Sequence, residues 1–168
     1  MTDGRPESAV PTIEVSLTRQ QLVLHDGAPV PQVFAVSTSR YGPGEQAGSL
    51  CTPRGLHVIR AKIGAGLPTG AVIRGRRFTG EVLTPDIAGR FPDRDWILTR
   101  ILWLSGLEQG RNRLGAVDSM RRYIYIHGTP EAEPMEVPFS HGCIRMRNAD
   151  VVLLFDRVTV GTRVEIVP

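Results

Sequence analysis

The chain has 168 residues, a formal net charge of +3 and 41% hydrophobic residues. This length and composition fit one globular domain with a substantial core, and they exclude a disordered or collagen-like chain. Nucleic-acid binding is disfavoured, because the basic residues are scattered apart from short clusters at 74–77 and 121–122 and form no stripe interleaved with aromatic residues.

The sequence also bears on the compartment in which the protein works. It contains no apolar run of about 18 residues, so no membrane span is expected. The opening segment, MTDGRPESAV, lacks the basic and apolar regions of a secretory signal. We therefore expect a cytoplasmic protein, or a periplasmic one if a leader has been removed, and in the cytoplasm Cys51 and Cys143 would remain thiols.

The first part of the chain is predicted to form strands. Residues 1–11 are expected to be disordered or extended, and residues 12–168 to form one domain. Apolar residues alternate along IEVSL at 13–17 and along LVL at 22–24, before the Asp-Gly turn signal at 26–27. With VFAV at 33–36 as a third strand, the opening region is predicted to be an antiparallel meander.

The central part of the chain gives weaker signals. The Gly/Pro-rich segment 40–50 is predicted to be a loop, followed by a strand along LHVIRAKI at 56–63. Residues 64–94 carry many glycines, prolines and arginines with little periodicity, so we expect long surface loops that act as a lid or substrate wall. The apolar run WILTRILWL at 96–104 is typical of one or two buried strands, although a helix also fits the pattern.

The last part of the chain has clearer periodicity. In RRYIYIHG, residues 121–128, isoleucines alternate with tyrosines and His127, so His127 is predicted to end a strand with its side chain on the tyrosine face. Asn148 is predicted to cap a helix along ADVVLLFDRV, with Asp150 in its first turn. RVEIV at 163–167 closes the chain as a strand. Together these elements predict a mainly β (α+β) fold with one or two helices.

The stretch FSHGCIRM, residues 139–146, is the candidate site of chemistry. A thiol acts as a nucleophile through its thiolate, which a neighbouring imidazole or other cationic groups stabilise. His127 at a strand end can reach Cys143 across the fold, whereas His141, two residues before the thiol, competes with local backbone geometry. His127 is therefore the preferred base.

Gly142 fits a second requirement of acyl transfer. Backbone N–H groups near the nucleophile commonly stabilise the negative oxygen of the tetrahedral intermediate, and a glycine lets the substrate approach those amides. Arg145 could pair bidentately with a carboxylate. Two alternatives stay open: Cys143 is a buried structural thiol, or it binds zinc with His127 and His141, although the paired spacing of structural zinc ligands is absent.

The segment YIHGTPEAEPMEVPFSHGCIRM, residues 125–146, resembles the signature of the L,D-transpeptidase family with a YkuD-type catalytic domain. The matching features are HGT at a strand end, a spacer, and SHGCIR. IEVSLTRQQLVLHDG is similar to the family's first hairpin, STSRYGPGEQAGSLCTPRGLHVI to the following substrate-loop element, and NADVVLLFDRVTVGTRVEIV to its closing helix and strand. The likeness runs over residues 13–167 and is weakest between 64 and 120. It implies a YkuD-like β-sandwich or barrel of mixed strands with a long lid insertion.

The resemblance implies roles for individual residues of the site. Cys143 would be the nucleophile and His127 the general base, with the backbone carbonyl of Gly128 orienting the imidazole. The amides around His141, Gly142 and Cys143 would form the oxyanion hole. No metal and no cofactor are implied.

The same resemblance implies an acyltransferase acting on bacterial cell-wall peptides. Ser140, Arg145 and Tyr125 are assigned to substrate binding and to support of the site, although some family members carry Asn where Arg145 stands. The family's donor is a tetrapeptide stem with a diamino acid, such as meso-diaminopimelate, in third place and D-Ala in fourth. Cys143 would attack the carbonyl before D-Ala and form a thioester, and such a thiol is also expected to be acylated by carbapenems.

The acceptor of the acyl group decides the activity. Water gives an L,D-carboxypeptidase, whereas the amine of another stem gives a cross-link and a D-amino acid gives exchange. Because no leader is visible, we expect a cytoplasmic L,D-carboxypeptidase that trims free muropeptides during peptidoglycan recycling. Transpeptidation is the first alternative, and a non-catalytic zinc- or peptidoglycan-binding module is the second. Neither nucleic acid nor membrane is an expected partner.

Overall fold

The computed structural model describes residues 9–168, and strands predominate among them. The strands are β1 Thr12–Ser16, β2 Gln21–His25, β3 Gln32–Ser37, β4 Gly55–Ile63, β5 Ala71–Arg74, β6 Arg77–Val82, β7 Leu98–Gly106, β8 Tyr125–Gly128, β9 Ile144–Met146 and β10 Arg163–Val167. The helices are α1 Pro85–Arg90 and α2 Asn148–Arg157, with a short 3-10 turn at Gly115–Val117. The predicted disorder or extension of residues 1–11 lies mostly outside the described residues.

Eight of the strands close into a barrel. They follow one another in the order β4-β10-β1-β2-β3-β9-β8-β7, and β7 pairs with β4 to close the ring. The neighbours β1–β10 and β8–β9 are parallel, and the other pairs of the ring are antiparallel. Closure leaves no open sheet edge within the ring. The predicted mainly β fold of mixed strands is confirmed.

The alternating pattern of the first strands places one face of each in the core. Ile13 pairs with Leu24 across β1 and β2, and Val15 pairs with Leu22. All four side chains are buried and belong to the main hydrophobic cluster. Since side chains of a strand alternate between faces, this register buries one apolar set and leaves the other set toward solvent. The predicted antiparallel meander is therefore confirmed.

The pairing of β8 with β9 positions the candidate site. Ile126 and Ile144 are register partners, and both are buried in the main cluster. The residues that alternate with them lie on the opposite face of the sheet, away from the barrel core. On that face β8 places Tyr125 and His127, and Cys143 lies directly before β9. The predicted strand end at His127 and its shared face with the tyrosine are confirmed.

The prediction of long loops over residues 64–94 is wrong. β5 and β6 form a hairpin in this segment, and β5 pairs with β7 to extend the sheet beyond the barrel. Every residue of β6 is exposed, so no apolar alternation marks it in the sequence. α1 follows with Pro85 in its first turn, and the hydroxyl of Thr84 accepts a hydrogen bond from the amide of Ile87 at 3.3 Å.

The predicted N-cap at Asn148 is also wrong. Asn148 is the first residue of α2, and its side chain makes no capping hydrogen bond. Its amide group donates instead to the carbonyl of Thr129 at 2.9 Å, and its oxygen accepts from the hydroxyl of Thr99 at 2.7 Å. Asn148 therefore ties the start of α2 to the chain that follows β8. Among residues 9–168 no helix has the length and apolar character needed to cross a bilayer.

Candidate active site

The thiol of Cys143 is held by the backbone of the segment that leads into β8. It donates a hydrogen bond to the carbonyl of Tyr123 at 3.3 Å and accepts one from the amide of Tyr125 at 3.4 Å. Cys143 also packs against the buried cluster of Ile73, Ile101 and Tyr125. The local backbone thus fixes where the sulfur lies at the start of β9.

The surroundings of Cys143 keep its thiol neutral. Although the residue is partly exposed, burial of its sulfur raises the pKa to about 12, and the Tyr125 amide and two nearby guanidinium groups offset only part of this effect. The nearby cationic groups therefore do not stabilise a thiolate in the resting site. Removal of charge from water outweighs the cations here, so the thiol must lose its proton during the reaction.

The imidazole of His127 is fully buried and fixed in orientation. Its Nδ1 lies 2.6 Å from the carbonyl oxygen of Gly128. Because a carbonyl only accepts, Nδ1 carries the hydrogen and Nε2 of the neutral ring is left with a free lone pair. Burial lowers the pKa of His127 below its usual value. The predicted contact with the Gly128 carbonyl is present, and the ring is in the form that a general base requires.

His127 lies on the same face of the sheet as Cys143, which directly precedes the parallel neighbour β9. His127 is the register partner of Arg145, two residues beyond the thiol along β9. Among the described residues no hydrogen bond joins the imidazole to the sulfur, because the thiol is turned toward the carbonyl of Tyr123. Catalytic hydrogen bonds are often formed only once substrate is bound. Rotation about the Cα–Cβ bond of Cys143 changes the direction in which the thiol points.

The turn before Cys143 presents backbone amides beside the sulfur. Ser140 is buried, and its hydroxyl donates to the carbonyl of Cys143 at 2.6 Å and accepts from the amide of Gly142 at 3.2 Å. In the described part of the chain the amides of His141 and Cys143 donate to no protein group. These two amides are available to an oxyanion, whereas the amide of Gly142 is already engaged.

Gly142 has a backbone conformation that only glycine adopts without strain. Its φ is +126°, and a Cβ at this position would lie 3.2 Å from the carbonyl oxygen of Cys51. The hydroxyl of Thr52 donates to the carbonyl of Gly142 at 2.9 Å. The loop around residue 51 therefore packs directly against the turn that carries the thiol.

Arg122 anchors this loop and was not predicted as a site residue. Its guanidinium donates to the carbonyl of Cys51 at 2.6 Å and to those of Gly44 and Glu45 at 3.2 Å. Only a cluster of two basic residues marked Arg122 in the sequence, and nothing in that pattern indicated carbonyl partners some seventy positions away. The fold brings them together.

Arg145 binds carboxylates of this chain. Its side chain is 5% exposed, and its guanidinium lies 2.7 Å from Asp95 and 3.7 Å from Glu133. The predicted pairing with a substrate carboxylate is therefore replaced by an internal ion pair, because the fold covers the guanidinium. Asp95 is 45% exposed and also lies 3.8 Å from Nδ1 of His141. Sequence reasoning missed both carboxylates, since neither stands near the motif along the chain.

The remaining predicted residues have internal contacts. Ser140 was assigned to substrate contact, but its buried hydroxyl is used within the turn. Tyr125 is 5% exposed, and its hydroxyl accepts a hydrogen bond from Arg76 at 3.3 Å. Within residues 9–168 no group of three or more His, Cys, Asp or Glu side chains is placed to hold a metal ion. The three residues of the zinc alternative thus form no such group.

Comparison with known proteins places this arrangement in a family. The sequence model of the YkuD domain, described as the L,D-transpeptidase catalytic domain, matches residues 11–166. The chain belongs to the L,D-transpeptidase family. The match covers nearly all of the residues that were predicted to form one domain.

Curated L,D-transpeptidases resemble a short part of the chain. The probable L,D-transpeptidase YbiS of Escherichia coli is 46% identical over 46 residues, which are 27% of this chain and 15% of that protein. The putative L,D-transpeptidase YqjB of Bacillus subtilis is 54% identical over 39 residues, which are 23% of this chain and 22% of that protein. The aligned segments are thus a small part of these longer relatives.

Solved L,D-transpeptidases share the fold. L,D-transpeptidase 3 of Mycobacterium tuberculosis, in complex with a faropenem-derived adduct, aligns with 95% of this chain and 60% of its own length, with a TM-score of 0.56 and 17% identity. LdtMt1 in complex with imipenem aligns with 94% of this chain and 59% of its own length, with a TM-score of 0.56 and 19% identity. At these identities the likeness shows the fold alone.

Proposed function

We propose that this L,D-transpeptidase-family domain is a cysteine acyltransferase acting on peptide stems of peptidoglycan. Cys143 is the nucleophile and His127 the general base. The observation that carries the proposal is the hydrogen bond of 2.6 Å between Nδ1 of His127 and the Gly128 carbonyl, on the face that also holds the thiol. It leaves the lone pair of Nε2 on a buried, neutral ring, on the same face of the sheet as a nucleophile that needs a base.

The acylation step follows from the protonation states of the two groups. As the sulfur attacks the carbonyl carbon before the terminal D-Ala, its proton passes to Nε2 of His127 and a carbon–sulfur bond forms. When the tetrahedral intermediate collapses, the carbon–nitrogen bond breaks and the same proton passes to the leaving amine. D-Ala departs, and the shortened stem remains on Cys143 as a thioester.

The oxyanion of the intermediate needs donors that are already in place. The unengaged amides of His141 and Cys143 supply them, and the bonds of Ser140 hold the turn in the required shape. The ion pair of Asp95 and Arg145 supports the structure beside the site and does not contact the reacting carbonyl.

The acyl acceptor determines whether the enzyme is a transpeptidase or a carboxypeptidase. The names of the curated and solved relatives support an amine acceptor, and therefore transpeptidation. The expectation that water is the acceptor, giving a cytoplasmic L,D-carboxypeptidase of muropeptide recycling, stays a prediction, as does the compartment. Both activities pass through the same thioester, so the proposal for Cys143 and His127 does not depend on the choice.

Product analysis tests the proposal and the acceptor together. The protein is incubated with a purified disaccharide tetrapeptide, with and without an added amine acceptor, and the products are identified by mass spectrometry. Tripeptide alone identifies a carboxypeptidase, and dimers or exchanged stems identify a transpeptidase. Cys143→Ala is expected to give neither. Intact tetrapeptide with the wild-type protein, or an undiminished reaction with Cys143→Ala, contradicts the proposal.

The same thiol is proposed to react with carbapenems. Two solved relatives are complexes, one with imipenem and the other with a faropenem-derived adduct. In this chain the β-lactam carbonyl would take the place of the peptide carbonyl, and ring opening would replace loss of D-Ala.

A further inference from the structure

The tip of the β5–β6 hairpin lies on an aromatic cluster beside the nucleophile. The guanidinium carbon of Arg76 lies 4.9 Å from the ring centroid of Trp103 and 5.1 Å from that of Tyr123. Its Nη1 donates to the hydroxyl of Tyr125 at 3.3 Å. Since the amide of Tyr125 and the carbonyl of Tyr123 hold the sulfur of Cys143, this cluster adjoins the thiol.

The backbone is strained at two positions of the cluster. Arg76 has a φ of +63° and Tyr123 a φ of +55°, in the left-handed region that side chains with a Cβ rarely occupy. At the tip of a two-residue hairpin Asn or Gly has this conformation at lower cost. Such strain is commonly found at functional positions.

Among residues 9–168, the positive charge beside the aromatic rings has no carboxylate partner. The guanidinium carbon of Arg60 lies 5.6 Å from the ring of Trp103, so two guanidinium groups share one indole. In the part of the chain that the structure describes, neither Arg60 nor Arg76 forms an ion pair. The carboxylates near the site, Asp95 and Glu133, pair with Arg145 instead. The surface around Cys143 thus has an arginine side and an acidic side.

The proposed reaction determines which part of the substrate lies over the arginine side of this surface and which part lies over the acidic side. His127 must give its proton to the leaving amine, so the leaving group lies toward His127. The acyl part of the donor then lies on the other side of the sulfur. Along β8 that side is the one of Tyr125, which is the register partner of Trp103. The donor peptide therefore extends over the aromatic rings and the two guanidinium groups.

We propose that Arg76, assisted by Arg60, binds a carboxylate of the acyl-donor peptide and so selects anionic stems. The inference rests on the proposed function for the direction of the substrate. A guanidinium binds a carboxylate through charge-assisted hydrogen bonds, and the aromatic rings hold its plane in place. Tyr123 is 52% exposed, so the aromatic cluster is accessible to a peptide.

A stem offers this carboxylate from two sources. One is a free carboxylate on the residue before the diamino acid, and the other is the carboxylate on the side chain of diaminopimelate. Both present the same chemistry to Arg76, and amidation of each one separately distinguishes them. Three tetrapeptides are therefore needed: one with both carboxylates free and two with a single carboxamide.

Binding of these peptides to the Cys143→Ala protein tests the subsite apart from turnover. By calorimetry, the fully anionic peptide is expected to bind about tenfold more tightly than one of the amidated peptides, which identifies the carboxylate that is recognised. Adding Arg76→Asn, which suits a left-handed turn and removes the charge, is expected to abolish this preference. Adding Arg77→Gln, on the same turn but exposed, is the matched control and is expected to preserve it.

The outcomes separate the two proposals. Equal affinity for all three peptides, no measurable binding, or a preference that survives Arg76→Asn contradicts the subsite. Turnover by the wild-type protein is measured with the same peptides. Absence of turnover with an intact, Arg76-dependent preference would reject the acyl-transfer step while supporting the subsite.

Discussion

At the scale of single residues, the protonation states of His127 and Cys143 set the pH dependence of the reaction. Burial lowers the pKa of His127 and raises that of Cys143 to about 12, so both groups are neutral over a wide range. We expect kcat/KM to fall only as the pH drops below about 6.5 through the lowered pKa of His127, because protonation removes the base. No rise near the ordinary pKa of a thiol is expected. A profile that climbs tenfold per pH unit between 7 and 9 would contradict this pairing.

Carbapenem acylation tests the identity of the nucleophile directly. Intact-mass spectrometry of the protein after exposure to imipenem is expected to show one adduct, and peptide mapping to place it on Cys143. The adduct should be absent from Cys143→Ala and undiminished in Cys51→Ala, whose thiol donates to the carbonyl of Tyr41 at 3.4 Å and lies outside the proposed mechanism. An adduct on Cys51 in the wild-type protein would count against the assignment.

The site residues that could be predicted from the sequence differ physically from those that could not. Cys143 and His127 stand in a recognisable motif, and strand alternation alone puts His127 on the correct face. Arg145 belongs to the same motif, yet its role depends on Asp95. The fold brings this carboxylate, fifty positions away along the chain, within 2.7 Å of the Arg145 guanidinium. A sequence shows which charges exist, but burial and distance decide which of them remain available to a substrate.

At the scale of elements, the loop around Cys51 is held against the catalytic turn by one side chain. Arg122→Met keeps most of the packing of the aliphatic part of the side chain. It removes the hydrogen bonds to the carbonyls of Gly44, Glu45 and Cys51. We expect kcat to fall about tenfold, because the amides beside the sulfur lose their fixed position. The exposed neighbour in Arg121→Met is the matched control. An unchanged kcat in a folded Arg122→Met protein would show that the loop does not position the turn.

Elements differ in how far the sequence alone predicts them. β1, β2 and β3 alternate cleanly because one face of each packs into the core, and the pattern predicts them. The hairpin of β5 and β6 escapes prediction because β6 is exposed along its whole length and its stability comes from pairing with β5. Tertiary contacts also take the side chain of Asn148 away from the capping role that its position suggests.

At the scale of the whole molecule, His57 lies where β4 joins its two neighbours to close the barrel. It is the register partner of Val164 on β10 and of Gly106 on β7. The buried ring donates from Nδ1 to the carbonyl of Gly55 at 3.0 Å and accepts at Nε2 from the hydroxyl of Ser119 at 2.8 Å. Burial lowers the pKa of His57 from its ordinary value of 6.5 to about 4.

This shift makes the stability of the barrel depend on pH. The unfolded chain takes up the proton more readily, so the stabilisation is complete above about pH 6.5 and is lost as the pH falls toward about 4. Between pH 7 and 4.5 we expect the wild-type protein to lose about 2–3 kcal/mol more free energy of unfolding than His57→Gln. Urea denaturation at several pH values measures both. Parallel pH profiles for the two proteins would contradict the neutral, buried imidazole.

Closure of the barrel is the part of the architecture least visible in the sequence. The parallel neighbours β1 and β10 come from opposite ends of the chain, and no local pattern encodes their pairing. Strands such as β1, β2 and β3 could be predicted from alternation, and the resemblance to the family supplied the expectation of a barrel. The acidic and basic sides of the site follow only from the closed ring, which brings distant charges to one face.

The proposed function requires that Cys143 takes the acyl group of a stem and that D-Ala is released. The wild-type protein is mixed with disaccharide tetrapeptide, quenched in acid within the first turnover, and analysed by intact-mass and peptide mass spectrometry. We expect a covalent adduct of the stem lacking D-Ala on Cys143, with free D-Ala formed in equal amount. Release of D-Ala without any adduct at early times, or an adduct on another residue, would contradict it.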